Sequence, residues 1–226
     1  MLRKTFEMDL QRLQDEVLAL GSMVARAIQD SVESLKKRDR EMARRIIAGD
    51  RAINEKRFAI ESETLTLIAT QQPLAGDLRT LAAVLEIATE LERMGDYAKG
   101  IAKINLLMGE EPLIKPLIDI PQMADKATDM LRRALDAFIR RDVDAARAIP
   151  LEDDQVDALY NQVYRELLTF IMADPRTLNQ ATYLLWVAHN LERSADRVTN
   201  ICERVVFTVT GRMQEMDVED GHESYA

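Results

Sequence analysis

Leu10, Leu13, Val17, Leu20, Val24, Ile28, Val32 and Leu35 recur at steps of three and four, the spacing that lines one face of an α-helix. The chain therefore opens with one long helix. Lys36-Lys37-Arg38-Asp39 interrupts the stripe, and a second helical stretch follows to about Gln72, with Gly49 as a candidate break and the uninterrupted helix as the alternative. Pro73 and Gly76 mark a turn, and a third helix runs from about Asp77 to Met108. Pro112, Pro116 and Pro121 then fall too close together for a helix interior, which predicts a linker. Beyond it the plan repeats: helices from about Gln122 to Arg140, from Val143 to Ala173 with a break at Pro150, and from Pro175 to about Thr210, where Gly211 ends the last one.

The halves also match residue by residue. Leu91-Glu92-Arg93-Met94-Gly95-Asp96 aligns with Leu191-Glu192-Arg193-Ser194-Ala195-Asp196 at an offset of 100, and Arg38-Asp39, Ile46 and Asp50 align with Arg141-Asp142, Ile149 and Asp153 at 103. The second hairpin turn is accordingly three residues shorter. The expected fold is all-α, a tandem duplication of a three-helix bundle with six main helices. The expected divisions are a first bundle over 1–109, a linker over 110–121, a second bundle over 122–211 and a disordered acidic tail over 212–226.

Composition narrows the function. Only 8 Gly and 6 Pro in 226 residues leave too few turn formers for a strand-rich fold. Cys202 is the single cysteine, so no internal disulfide exists, and a reducing cytoplasm is expected. The charged start lacks the apolar run of a signal peptide, and no later stretch suits a membrane span. Of the net charge of −9, five acids lie in the last fourteen residues; the mildly acidic body has no basic stripe, which argues against nucleic acid.

A duplicated core explains recurring leucines but not recurring carboxylates. Glu92 and Asp96 recur as Glu192 and Asp196, and Asp50 and Asn54 recur as Asp153 and Asp157, each pair spaced i, i+4 on one helix face. Asp50 and Asp96 are equidistant from Pro73, as are Asn54 and Glu92; Asp153 with Asp196 and Asp157 with Glu192 are likewise equidistant from the Asp174–Pro175 junction. Folding each hairpin at its proline thus brings four oxygen-bearing side chains to one level. Glu92 and Asp96 continue the azimuth of Leu81 and Leu85, so the acids converge on a partly desolvated face and call for a cation. Lys99 and Arg197 are near enough to supply one as ion pairs. Metal is the alternative, and an all-oxygen set suits Mg²⁺, Mn²⁺, Ca²⁺ or iron rather than zinc. Asp125 and Asp129 do not recur, which fits solvated surface.

Gln72-Pro73-Leu74-Ala75-Gly76-Asp77-Leu78-Arg79, Glu90-Leu91-Glu92-Arg93-Met94-Gly95-Asp96 and Asn190-Leu191-Glu192-Arg193-Ser194-Ala195-Asp196-Arg197 together resemble the PhoU family of phosphate-uptake regulators. The resemblance implies a cytoplasmic homodimer and a negative regulator of phosphate uptake and phosphate-starvation signalling. Its implied partners are the phosphate ABC transporter, through the ATPase subunit, and the phosphate sensor histidine kinase. It further implies metal at Glu92, Asp96, Glu192 and Asp196, with Asp50, Asn54, Asp153 and Asp157 opposite. Ser194-Ala195 departs from the apolar-Gly pair seen as Met94-Gly95, which bears on how closely the second-half helices approach.

Two other readings stand beside it. A metal-free helical adaptor would pair its acids with a basic protein partner. A carboxylate-bridged di-iron protein would need Glu-x-x-His, whereas His189 precedes Glu192 and Thr89 replaces it in the first half. No nucleophile–histidine pair suggests an enzyme, since His222 lies in the tail and Cys202 has no histidine at helical spacing. Arg93 and Arg193 project away from the apolar stripe and are candidate partner contacts; Met23 and Met94 read as core.

Overall fold

The computed structural model describes residues 2–216, and the part of the acidic tail from 217 onward lies outside the described residues. Seven helices account for nearly all of it, with no strand among the described residues: α1 (Leu2–Lys37), α2 (Arg40–Gln71), α3 (Ala75–Leu107), α4 (Asp119–Arg140), the short α5 (Val143–Ala148), α6 (Asp153–Ala173) and α7 (Leu178–Thr210). The repeated Arg-Asp dipeptide explains the first bend of each half. Arg38 and Arg141 both adopt left-handed backbone, with φ of 57° and 56°, and so end α1 and α4. Asp39 and Asp142 then cap the next helix by accepting from the Met42 and Ala145 amides, each at 2.9 Å.

α2 does not break at Gly49, which costs helix propensity but obstructs nothing. Its second-half equivalent does break: Pro150 opens a 3-10 turn over Pro150–Glu152 between α5 and α6. α4 starts at Asp119, three residues before the expected Gln122, because Pro121 sits in the first turn, where its missing N–H is no loss. The rest of the proline-rich linker is strapped down: Gln180 bonds the Ile114 amide and, at 2.9 Å, the Pro112 carbonyl, while buried Lys115 pairs with Glu166.

α1, α3, α7 and α4 pack in a closed circuit, with α2 laid on α1 and α3 and α6 on α4 and α7. The stripe of α1 is buried from Leu10 to Leu35, and it belongs to one apolar core that continues through both halves. α3 and α7 run antiparallel, since Arg79 meets Thr208, Glu90 meets Arg197 and Asn200, and Gly100 lies against Asn190. Glycine permits close approach at Gly21, where a Cβ would lie 2.2 Å from Leu135 Cδ1. No helix among the described residues is long and apolar enough to cross a membrane.

Candidate functional site

Each carboxylate set sits midway along a hairpin, on facing sides of two packed helices. In the first half α2 carries Asp50 and Asn54, and α3 carries Glu92 and Asp96. Asp50 is buried, and Lys99 reaches over it: Nζ donates to Asp50 Oδ2 at 2.6 Å and to Asp96 Oδ1 at 3.3 Å, while Asn54 Nδ2 donates to Asp50 Oδ2 at 3.2 Å. The hydrogen bond to Asp50 holds the Lys99 ammonium above its ordinary range. Glu92 receives no such help, and burial, then the charge of Asp96, raises its pKa.

The second half lacks that internal cation, because Thr199 stands where the first half has Lys99. Asp153 and Asp157 on α6 face Glu192 and Asp196 on α7. Burial, followed by the charges of Asp196, Asp157 and Glu192, pushes Asp153 up to about 7; burial, then Asp196 and Asp157, pushes Glu192 up to about 7 as well. Asp153 Oδ1, Glu192 Oε2 and Thr199 Oγ1 are buried without a hydrogen-bond partner. His189 Nδ1 lies 3.2 Å from Glu192 Oε2 but does not satisfy it, and its ring tilts against Tyr160. Arg193 Nη1 bonds Asp196 Oδ2 at 2.8 Å, so this arginine serves the site rather than open solvent.

The donors are all oxygen, and orphaned buried carboxylate oxygens remain, so the residues of the second half fit a hard cation. As the side chains stand, no three Asp, Glu, His or Cys among the described residues form a closed metal cluster. In the first half Lys99 already does part of what a cation would do. Arg197, the other candidate counter-ion, turns away across the interface to Glu90 Oε2 at 3.3 Å. Gly95 faces Ile53, with a Cβ there reaching 3.1 Å from Ile53 Cγ2; the repeat carries buried Ala195 at the glycine position and the smaller, buried Val156 at the isoleucine position. Cys202 is buried, and burial pushes its thiol up to about 12, which disfavours the reactive thiolate. Asp129 bonds Arg133 at 2.8 Å and Asp125 is exposed, which leaves both on the surface.

A family model for the PhoU domain matches the chain twice, over residues 17–104 and 120–205. The chain belongs to the PhoU family. It is 40% identical over 221 residues to the phosphate-specific transport system accessory protein PhoU homolog of Clostridium acetobutylicum, covering 96% of this chain and 100% of that one. It is 33% identical over 207 residues to the phosphate-specific transport system accessory protein PhoU of Escherichia coli K12, covering 92% and 86%. Among solved structures it resembles PhoU from Pseudomonas aeruginosa, with a TM-score of 0.86 and 31% identity over 92% of this chain and 100% of that one. It also resembles the phosphate transport system regulatory protein PhoU from Streptococcus pneumoniae, with a TM-score of 0.85 and 34% identity over 92% and 99%. The two matched stretches each contain one carboxylate set, so the family's repeat and the chemical repeat coincide.

Proposed function

We propose that this chain is a metal-binding accessory regulator of phosphate-specific transport. In this reading it is a cytoplasmic homodimer without catalytic activity. It restrains uptake and phosphate-starvation signalling by coupling the ATPase subunit of the phosphate ABC transporter to the phosphate sensor histidine kinase. Full-length similarity to proteins named for that transport system supports the role. The metal part is carried by one observation: four carboxylates face one another in the second half, with buried orphaned oxygens on Asp153 and Glu192. Asp153, Asp157, Glu192 and Asp196 would hold the ion, and in the first half Asp50, Asn54, Glu92 and Asp96 would do so only in competition with Lys99. A bound divalent or iron cation would offset much of the set's negative charge and tie α6 to α7. The first half also gives the metal-free adaptor its support, since Lys99 pairs with both Asp50 and Asp96 without any metal.

Elemental analysis of dialysed protein tests the metal reading. Metal in the parent, halved or more in Glu192→Gln and little changed in Glu92→Gln, is expected. No metal in the parent after incubation with Mg²⁺, Mn²⁺, Ca²⁺ or Fe²⁺ sinks it. The regulatory reading is tested separately: in a host lacking its own homologue the chain should lower phosphate uptake under phosphate-replete growth, and unchanged uptake counts against it.

A further inference from the structure

A groove opens between α1 and α2 beside the first hairpin, with a volume of about 370 Å³ and an apolar floor that includes Ile46 and Ile53. We propose that it is a docking site for an acidic segment of a partner protein, one that presents a carboxylate beside an apolar side chain. The inference is independent of metal at the carboxylate sets.

The second half shows what the equivalent space holds when it is filled from within. At the offset of 103, Ala27, Asp30 and Gly49 correspond to Met130, Arg133 and Glu152. There Glu152, still partly exposed, takes a two-point bond from Arg133, at 2.7 Å and 2.6 Å, and Met130 is buried. Glu152 ends the 3-10 segment at Pro150, whose first-half counterpart is Ile47. Without the proline α2 runs straight past, and with Gly49 and Ala27 in place of Glu152 and Met130 nothing of its own fills the gap.

Charge selects the occupant. Arg26 and Arg45 flank the groove, both exposed and neither in an ion pair among the described residues, in a chain whose net charge is −9. Of the acids there, Asp50 is engaged by Lys99 and Asn54, which leaves Asp30 alone against two guanidinium groups. A guanidinium pair above an apolar floor recognises a carboxylate such as Glu152 presents to Arg133 in the other half, carried beside an aliphatic side chain that meets the floor. The volume accommodates a few side chains, so the site would read a short stretch rather than a folded surface.

Fluorescence anisotropy on the full chain tests this with a labelled, end-blocked peptide copying residues 148–154, Ala-Ile-Pro-Leu-Glu-Asp-Asp. Saturable binding is expected, weakened about tenfold when Gln replaces the peptide's Glu and lost further with added salt. Two variants of the protein should weaken it about tenfold or more: Arg26→Glu/Arg45→Glu, which reverses the rim, and Gly49→Glu, which rebuilds the internal carboxylate. A Cβ at Gly49 meets nothing within 4 Å, so the second variant keeps the helix intact if the first fails to fold. No saturable binding, equal binding by the Gln peptide, or equal binding by both variants overturns the proposal. It is also overturned if removing residues 217–226 tightens binding tenfold, which makes the chain's own tail the occupant, or if Gly49→Glu changes the oligomeric state, which makes a second copy the occupant.

Discussion

Lys99 and Thr199 occupy the same place in the repeat and give the two carboxylate sets different needs. The ammonium bonded to Asp50 and Asp96 gives the first set a cation of its own, whereas the second set leaves Asp153 and Glu192 with folded values of about 7. Exchanging the residues should exchange the behaviour. Thr199→Lys should remove metal from the second half, and Lys99→Met should add uptake in the first, both read by elemental analysis; unchanged stoichiometry in both would discount the ammonium. A pH effect follows for metal-free protein. Because the raised values exceed the unfolded carboxylate range, the folded chain holds protons between about pH 4 and 7 that the unfolded chain has released. Stability from these groups is therefore greatest at the acid end of that window and is lost as pH rises through 7. After chelation, Asp153→Asn should raise the melting temperature at pH 8 and leave it nearly unchanged near pH 4.5; a fall at pH 8 would contradict the sign. The eight ligand candidates were legible from recurrence and from their equal distances to the turns. The choice between Lys99 and Arg197 was not, since both lie within a turn of an acid and only the packing of α3 against α7 draws Arg197 to Glu90.

Helix boundaries were legible wherever a proline or a repeated capping residue fixed them, as at Asp39, Asp142, Pro150 and Gly211. Gly49 was ambiguous because glycine weakens a helix by only about 1 kcal/mol, less than α2 recovers by packing its buried face, including Ile53 and Ile60, on its neighbours. With a straight helix and open space at that point, Gly49→Ala should stabilise the protein by about 1 kcal/mol in urea unfolding. A destabilising result would mean that α2 is not regular there. The helix pair beneath each site offers a second check. Gly95→Ala alone pushes a methyl to 3.1 Å from Ile53 and should cost about 1 kcal/mol. Combining it with Ile53→Val reproduces the Ala195 and Val156 pair of the second half, so the double variant should cost clearly less than the two singles together. Simple additivity would show that the two positions do not share their space.

At the scale of the whole molecule the halves are not independent bundles. α1 and α3 pack on α4 and α7, and a single apolar core runs through all of them. The polar centre of that contact is Glu90, 6% exposed, which accepts from Arg93 at 3.0 Å within its own helix and from Arg197 and Asn200 of α7 at 3.3 and 3.2 Å. Its counterpart in the repeat is Asn190, which lies against Gly100 on the other side of the same crossing. Recurrence, which singled out the carboxylate sets, passes over this group, because Glu90 and Asn190 are unlike residues at like positions. Removing Arg197 withdraws the charged partner that α7 gives Glu90, and Arg197→Met should cost about 2 kcal/mol. That loss should be felt equally by both halves. Trp186 fluorescence reports on α7, and hydrogen exchange in α2 reports on the far side of the first half. If the shared core makes the molecule one cooperative unit, both probes should give the same urea midpoint in the parent, and both midpoints should fall together in Arg197→Met. Should the Trp186 transition move while α2 holds its midpoint, the halves unfold separately, and the α3–α7 contact is a docking surface between two domains rather than the centre of one.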